Sequence, residues 1–225
     1  MRIADNLSII KQQILDSALK SGRNPLEVSL IAVTKNVSAA RANECIAAGI
    51  FDLGENRVQE LQNKLPEVPA ARWHLIGHLQ TNKVKYIIGR VALVHSLDRW
   101  TLAEEIDKKS QAAGIVTPVL VQVNVAGEET KFGLELQEAR DFVAEAAGLS
   151  GIAIQGLMTI APFVTNPEEV RPVFRQLKGL AHDLQDISGV RMDQLSMGMT
   201  NDYKVAIEEG ATLIRIGTAI FGSRY

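Results

Sequence analysis

The feature that most constrains the fold is an alternation of short apolar runs, rich in β-branched residues, with longer segments of helical periodicity. The runs lie at 28–33, 50–54, 73–77, 93–97, 118–123, 154–158, 194–198 and 213–216. Strands that alternate with helices pair in parallel through right-handed crossovers, which leaves an open doubly wound sheet or a closed barrel. The chain has 225 residues, so each of eight units takes about 28, which is typical of a compact barrel. We therefore predict an α/β fold with one domain over residues 1–225, a single (β/α)8 TIM-type barrel.

Helix signals between the runs agree with this interpretation. Ser38 is placed to cap a helix that ends at Gly49, and Asn166 followed by proline and two glutamates is placed to open another. An apolar stripe over 136–146 predicts a third. Only nine residues follow Ile216, too few for a full eighth helix. The stripe Ile3, Leu7, Ile10 and Ile14 predicts an extra N-terminal helix that covers this gap.

Charge and cysteine content narrow the class of protein. With 24 basic and 26 acidic residues the net charge is −2, which argues against a nucleic-acid binder or a membrane-surface protein. The single cysteine, Cys45, excludes an internal disulfide and a cysteine zinc cluster, and it is expected in the core. The sequence shows neither a leader pattern nor about 18 consecutive apolar residues. A cytoplasmic protein is expected.

In a barrel the functional groups follow the strands, at their carboxyl ends. The first strand ends in Lys35, whose amine, if desolvated there, becomes neutral and able to add to a carbonyl; alternatively, the lysine only marks the solvent edge. The seventh strand leads into Ser196–Thr200 and a predicted helix over 200–209, and the eighth into Arg215–Thr218. Hydroxyls, glycines and helix amides after these two strands predict a phosphate cup. Alternatively, Thr200 is only a helix cap and Gly217 only a turn.

Several other polar residues follow strands. Asn56 and Gln80 are candidates for hydrogen bonds to a polar ring. His74 or His78 is a candidate for a proton shuttle. For His74 we favour the alternative, a core histidine whose hydrogen bonds are satisfied within the protein. The two histidines are four apart, but their segment is predicted to be a strand running into a loop, so we reject a metal site. Further along the chain, Asn82 is a possible helix cap, Asn124 ends the fifth strand, and the loop 129–133 either closes the barrel mouth or is a solvated turn.

Six motifs in order resemble the pyridoxal phosphate homeostasis protein family. They are Ala32–Lys35, Gly54–Asn56, His74–Lys83, Leu157–Thr159, Leu195–Asp202 and Arg215–Gly222. This family consists of small binders of pyridoxal 5′-phosphate (PLP), related to the barrel domain of alanine racemases. The resemblance covers essentially the whole chain. Each motif alone is weak, whereas their joint occurrence in order is specific.

The resemblance implies a barrel that holds PLP as a Schiff base on Lys35. By matching position, Ser196 and Thr200, with the amides around Met199, Gly217 and Thr218, would hold the phosphate. Arg215 would face the pyridine nitrogen, and Asn56 would lie near the ring. The implied role is to carry and buffer PLP in vitamin B6 and amino-acid homeostasis without catalytic turnover, with apo PLP-dependent enzymes as partners. A monomer is the default expectation.

Two departures from the family pattern stand in the sequence. Thr200 replaces a frequent serine, and Asn36–Val37–Ser38 follows the lysine where the family often has a threonine and a Lys-Pro step. The second departure leaves open what flanks the Schiff base.

Two enzymatic alternatives remain open. A PLP-dependent amino-acid racemase needs a second acid or base on the opposite substrate face, which alanine racemases draw from an additional β domain, whereas this chain stops at Tyr225. A cofactor-free Schiff-base aldolase needs an acidic partner for Lys35, and Glu55 is the nearby candidate. An arginine cannot accept the pyridinium proton, so Arg215 opposite the ring nitrogen would leave PLP a weak electron sink.

Overall fold

The computed structural model describes residues 2–222 and confirms the predicted barrel. Eight parallel strands close in sequence order, and β8 pairs with β1 through the register Ser29 to Leu213 and Ala32 to Ile216. The strands are β1 Ser29–Val33, β2 Asp52–Glu55, β3 Arg72–Leu75, β4 Leu93–Leu97, β5 Thr117–Gln122, β6 Ile152–Met158, β7 Gln194–Ser196 and β8 Leu213–Ile216. All eight fall within or next to the predicted runs.

Helices connect the strands on the outside of the barrel. They are α1 Ile3–Lys20, α2 Ala39–Ala47, α3 Val58–Lys64, α4 Trp100–Ala112, α5 Ala139–Ala146, α6 Arg171–Asp183, α7 Tyr203–Glu208 and α8 Thr218–Phe221. Three 3-10 helices cover Pro25–Glu27, Thr81–Tyr86 and Pro167–Val170. The crossover from β3 to β4 is therefore a 3-10 helix and not an α-helix. None of the helices in the described part of the chain is long and apolar enough to cross a membrane.

The local helix signals are mostly confirmed. Ser38 Oγ accepts from the amide of Arg41 at 3.4 Å, and Gly49 follows α2 with φ 81°. Asn166 accepts from the amide of Glu168 and opens the 3-10 helix that leads into α6. The cap predicted at Asn82 is wrong, because the 3-10 helix begins one residue earlier, at Thr81.

Alternation along the strands divides the core into two layers. Leu30 and Ala32 of β1 belong to the large cluster between strands and helices. Ile31 instead belongs to a small apolar cluster inside the barrel, together with Leu93, Leu120, Met158 and Leu213. Because successive side chains of a strand point to opposite faces, Lys35 and Arg215 share the inner face with Ile31 and Leu213.

Helix α1 covers the gap that the short α8 leaves in the outer layer of helices, as predicted. Its stripe of Ile3, Leu7, Ile10 and Ile14 is buried. Asn6 Nδ2 donates to the carbonyl of Ile220 at 2.8 Å, and the Tyr203 hydroxyl of α7 donates to Gln13 Oε1. After the helix, Arg23 donates to the carbonyls of Ile207 and Ala211 at 2.7 and 2.9 Å. The first helix is thus joined by hydrogen bonds to the last two.

Candidate functional site

A cavity of about 490 Å³ opens at the carboxyl ends of the strands. It is lined by every predicted site residue except Ser196, namely Lys35, Asn56, Met199, Thr200, Arg215, Gly217 and Thr218. The segment 160–164, which follows β6, forms an apolar wall. The cavity lies where a TIM barrel carries its active site, and it brings the predicted residues together.

Two carboxylates and one ammonium group behind β1 and β2 hold the backbone that carries Lys35. Lys64 Nζ donates to the carbonyl of Thr34 at 2.7 Å and to Glu55 Oε1 at 2.6 Å. Glu60 accepts from the amide of Asn36 at 2.7 Å. The residue on each side of Lys35 is therefore held by a charged side chain, and such hydrogen bonds are stronger than neutral ones.

Asn36 follows Lys35 in a left-handed conformation with φ 57°, the one non-glycine residue with positive φ among residues 2–222. Asparagine tolerates this region better than most residues, which explains the Asn36 that departs from the family pattern. The sharp turn directs the chain away from β1 into α2, while Lys35 stays at the cavity.

Glu55 points away from the cavity, into the layer between β2 and α3. Its side chain is fully buried, and Oε1 also accepts from the Thr34 hydroxyl at 2.6 Å. Burial raises the pKa of Glu55, although hydrogen bonds from Lys64 and Thr34 counteract this. Glu55, the acid that the aldolase alternative would require beside Lys35, is therefore hydrogen bonded to Thr34 and Lys64 instead.

The loop after β7 forms a tight turn that precedes α7. Gly198 has φ 91°, and a Cβ atom there would lie 2.6 Å from the Cβ of Ala206, so only glycine fits. Asp202 Oδ1 accepts from the amide of Met199 at 2.6 Å. The helix predicted over 200–209 begins only at Tyr203, because this turn occupies its first residues, and the interpretation of Thr200 as its cap is wrong.

The loop after β8 meets this turn. Thr200 Oγ1 accepts from the amide of Ala219 at 3.5 Å, which connects the two loops. Gly217 and Thr218 begin α8, and the first N–H groups of a helix have no acceptor within it. Hydroxyls of Thr200 and Thr218 and these amides thus face the cavity from two neighbouring loops.

Arg215 is buried in the barrel and lines the cavity floor. Its Nη1 donates to Ser196 Oγ and its Nη2 to the carbonyl of Thr159 at 2.9 Å. Burial lowers the pKa of Arg215 to about 10, so the guanidinium remains charged at neutral pH. No carboxylate among residues 2–222 is within salt-bridge distance of it. Its remaining N–H donors are available to a ligand.

Ser196 lies behind Arg215 and not in the cavity wall. Besides Arg215 its hydroxyl contacts His95 Nδ1 at 2.8 Å, and the residue is fully buried. Its role as a direct phosphate ligand stays a prediction, while the contacts observed here connect it to the guanidinium.

His95 was not predicted. It shares the inner face of β4 with Leu93, and its Nε2 lies 3.0 Å from His74 Nδ1. A lone histidine in a strand gives no local signal, but its spacing of two from an interior leucine could have identified it. His74 is buried and also contacts Asp52, which agrees with the core role given to it above.

The remaining candidates lie outside the cavity. His78 stacks on Phe132 with ring centroids 4.0 Å apart and contacts Asp98. Gln80 is exposed, and Asn124 closes its own loop by hydrogen bonds to Glu128. Cys45 is buried, as expected. No cluster able to hold a metal ion occurs among residues 2–222.

Comparisons with known proteins agree on one family. Residues 3–225 match the family model described as the N-terminal domain of alanine racemase. A relative from Aquifex aeolicus named pyridoxal phosphate homeostasis protein is 44% identical over 226 residues, with 100% of this chain and 99% of the relative covered. An Escherichia coli K12 protein of the same name is 36% identical, with 99% and 97% covered.

Solved structures agree. PipY of Synechococcus elongatus, in a form with PLP bound, is 36% identical with a TM-score of 0.83 and covers 98% of this chain and 100% of its own. Alanine racemase of Clostridium difficile is 15% identical with a TM-score of 0.74, covering 95% of this chain and 60% of its own. At that identity the second likeness shows the fold alone.

Proposed function

We propose a function from the premise that this chain belongs to the alanine racemase N-terminal domain family and, within it, to the pyridoxal phosphate homeostasis proteins. It binds PLP and takes part in PLP homeostasis. Relatives named for that role and a PLP-bound structure of one of them support this function. We further propose that Lys35 forms the covalent bond and that the chain carries the cofactor without turnover.

The observation that carries the proposal is that one cavity holds complementary groups for each part of PLP. Lys35 supplies an amine, Arg215 supplies unused buried N–H donors, and the loops after β7 and β8 supply hydroxyls and amides. Asn56 lines the same cavity, and its Oδ1 is buried without a hydrogen-bond partner in the described chain. The residues present therefore fit the cofactor.

When bound, PLP supplies an aldehyde that an amine can attack and a ring that can withdraw electrons. We propose that Thr200, Thr218 and the amides of Gly217 and Thr218 hold the phosphate, with Ser196 acting through Arg215. The Met199 amide already donates to Asp202, so Met199 contributes through the shape of its turn. Arg215 would face the pyridine nitrogen. Because a guanidinium only donates, it would leave that nitrogen unprotonated and the ring a weak electron sink, which suits either a carrier or a racemase that limits side reactions.

The ionisable groups that line the cavity favour a carrier over a racemase. Among residues 2–222 they are Lys35, Asp202 and Arg215. Asp202 is hydrogen bonded to the Met199 amide, and burial raises its pKa, although that bond and Arg215 counteract the shift. Racemisation needs a second acid or base opposite the lysine, and no tyrosine or histidine of the described residues lines the cavity. Tyr225 lies outside the described residues.

The test is reconstitution of the purified protein with PLP, borohydride reduction and mapping of the pyridoxyl label. We expect visible absorption and a label on Lys35. Lys35→Ala should lose both, and Lys85→Ala, which changes an exposed lysine, should keep both. A label on another lysine in the wild-type protein would contradict the assignment.

Turnover is tested separately. Holoprotein incubated with L-alanine and other L-amino acids should yield no more D-isomer than Lys35→Ala does. Sustained formation of D-amino acid would replace the carrier with a racemase. Cytoplasmic location, a monomeric state and transfer to apo PLP-dependent enzymes stay predictions.

A further inference from the structure

A chain of hydrogen-bonded side chains crosses the inside of the barrel. We call it the polar relay. Its members, in order towards the cavity, are Asp52, His74, His95, Ser196 and Arg215. The successive contacts are 2.9, 3.0, 2.8 and 2.5 Å long. Members come from β2, β3, β4, β7 and β8, and the last four are all buried.

The two ends of the polar relay have opposite hydrogen-bonding character. Asp52 is a carboxylate, which only accepts. It is also paired with the exposed Arg72, 2.6 Å away. Burial raises the pKa of Asp52, but hydrogen bonds from His74 and Arg72 outweigh this and hold it below its ordinary value. Arg215 is a guanidinium, which only donates.

These ends determine where each proton lies. His74 must donate from Nε2 to Asp52, so its Nδ1 accepts when the ring is neutral. His95 then donates from Nε2 to His74, and its Nδ1 accepts the hydroxyl proton of Ser196. The Ser196 oxygen is left to accept from Arg215. All four contacts are satisfied when each imidazole donates from Nε2 and accepts at Nδ1.

The opposite tautomer of His95 fails in this setting. With the proton on Nδ1 of His95, any hydrogen between the two facing nitrogens would have to come from His74 Nδ1. Ser196 would then receive two donors, and its own proton would have no acceptor in the relay. Burial, the nearby His74 and Arg215 lower the pKa of His95 well below its ordinary value, which keeps the ring neutral.

From this geometry we propose that the polar relay fixes Arg215 as a donor directed at the cavity, with His95 and Ser196 as positioning residues for the pyridine nitrogen of PLP. The Thr159 carbonyl holds the other guanidinium nitrogen, so both Nη atoms are anchored inside the barrel. The inference rests on the proposed function only for the identity of the ligand.

The first test uses the wild-type protein without cofactor. The chain has only four histidines, so nitrogen-detected NMR can resolve their tautomers. We expect His74 and His95 to carry a proton on Nε2 alone. A proton on Nδ1 of His95 would overturn the relay, whether or not the protein binds PLP.

The second test compares holoprotein variants by the rate of PLP release and the ¹⁵N signal of labelled PLP. His95→Leu removes both relay contacts, and we expect release at least about tenfold faster, equivalent to about 1.4 kcal/mol, with a shifted pyridine signal. His95→Asn keeps an acceptor near the Nδ1 position, so both readouts should return most of the way to wild type.

Ser110→Ala is the matched control. It removes a buried hydroxyl that pairs with Thr117 at 2.7 Å, outside the relay, and it should leave both readouts unchanged. A folded His95→Leu with wild-type release and pyridine signal would refute the proposal. If wild-type protein took up no PLP, the proposed function would fail, while the tautomer measurement would still decide the relay.

Discussion

Replacing Lys64 with methionine tests how the backbone around Lys35 is held. The side chain is 9% exposed, and its ammonium contacts the fully buried Glu55 at 2.6 Å and the Thr34 carbonyl at 2.7 Å. In Lys64→Met, Glu55 keeps the Thr34 hydroxyl but loses its charged partner, and its Oε2 already has no partner in the described chain. Removing one member of a buried ion pair typically costs about 3–5 kcal/mol, which is the loss of unfolding free energy we expect at neutral pH.

The pH dependence of this loss has a definite sign. Burial raises the pKa of the Glu55 carboxyl, and without Lys64 the shift grows. A group whose pKa is raised on folding favours the folded state below that pKa and disfavours it above. The deficit of Lys64→Met should therefore be largest at neutral pH and shrink as the pH falls through the raised pKa of Glu55.

The assay is urea unfolding of the apoprotein, with the m-value checked for constancy. Glu55→Gln combined with Lys64→Met removes the unpaired charge and should restore more than half of the loss. Lys109→Met is the matched surface control. Its ammonium lies 3.7 Å from Glu105 at 38% exposure, and such pairs contribute no more than about 0.5 kcal/mol. A loss below about 1 kcal/mol for Lys64→Met would refute the view that a buried charge is left unpaired.

Two further predictions concern single positions. Gly198→Ala places a Cβ atom at positive φ and 2.6 Å from the Cβ of Ala206. We expect urea unfolding to show a loss of about 2–4 kcal/mol in unfolding free energy, and equilibrium titration to show weaker PLP binding. Wild-type affinity would contradict the close packing. Cys45 is buried, and burial raises the pKa of its thiol to about 12. A thiol reagent should therefore react with it only after addition of denaturant. Rapid modification of the native protein would show that the layer around α2 opens.

The fold could be predicted because its signals are local and repeated. Each strand is a short apolar run, and caps such as Ser38 and Asn166 mark helix starts. The exceptions have physical causes. The turn closed by Asp202 delays α7, and the helical segment after β3 winds as a 3-10 helix, which periodicity does not distinguish from an α-helix.

The site was predictable only in part. Strand ends identify Lys35 and Arg215, because in a parallel barrel all carboxyl ends share one mouth. The polar relay could not be predicted, since its contacts join residues far apart in sequence, such as His95 and Ser196. Nor does the sequence show that Ser196 faces Arg215 from behind, or that Glu55 faces outward with Lys64.

The pairing of β1 with β8 and the hydrogen bonds from α1 to α8 have a consequence for synthesis on the ribosome. Lys35 is translated well before the neighbouring strand β8, which carries Arg215, so the sheet keeps two unpaired edges until β8 has been made. Such non-local closure is slow and leaves apolar surface exposed in the nascent chain. The cofactor site and the closed barrel are therefore completed in the same event, and a nascent chain that lacks β8 has no complete place to hold the aldehyde.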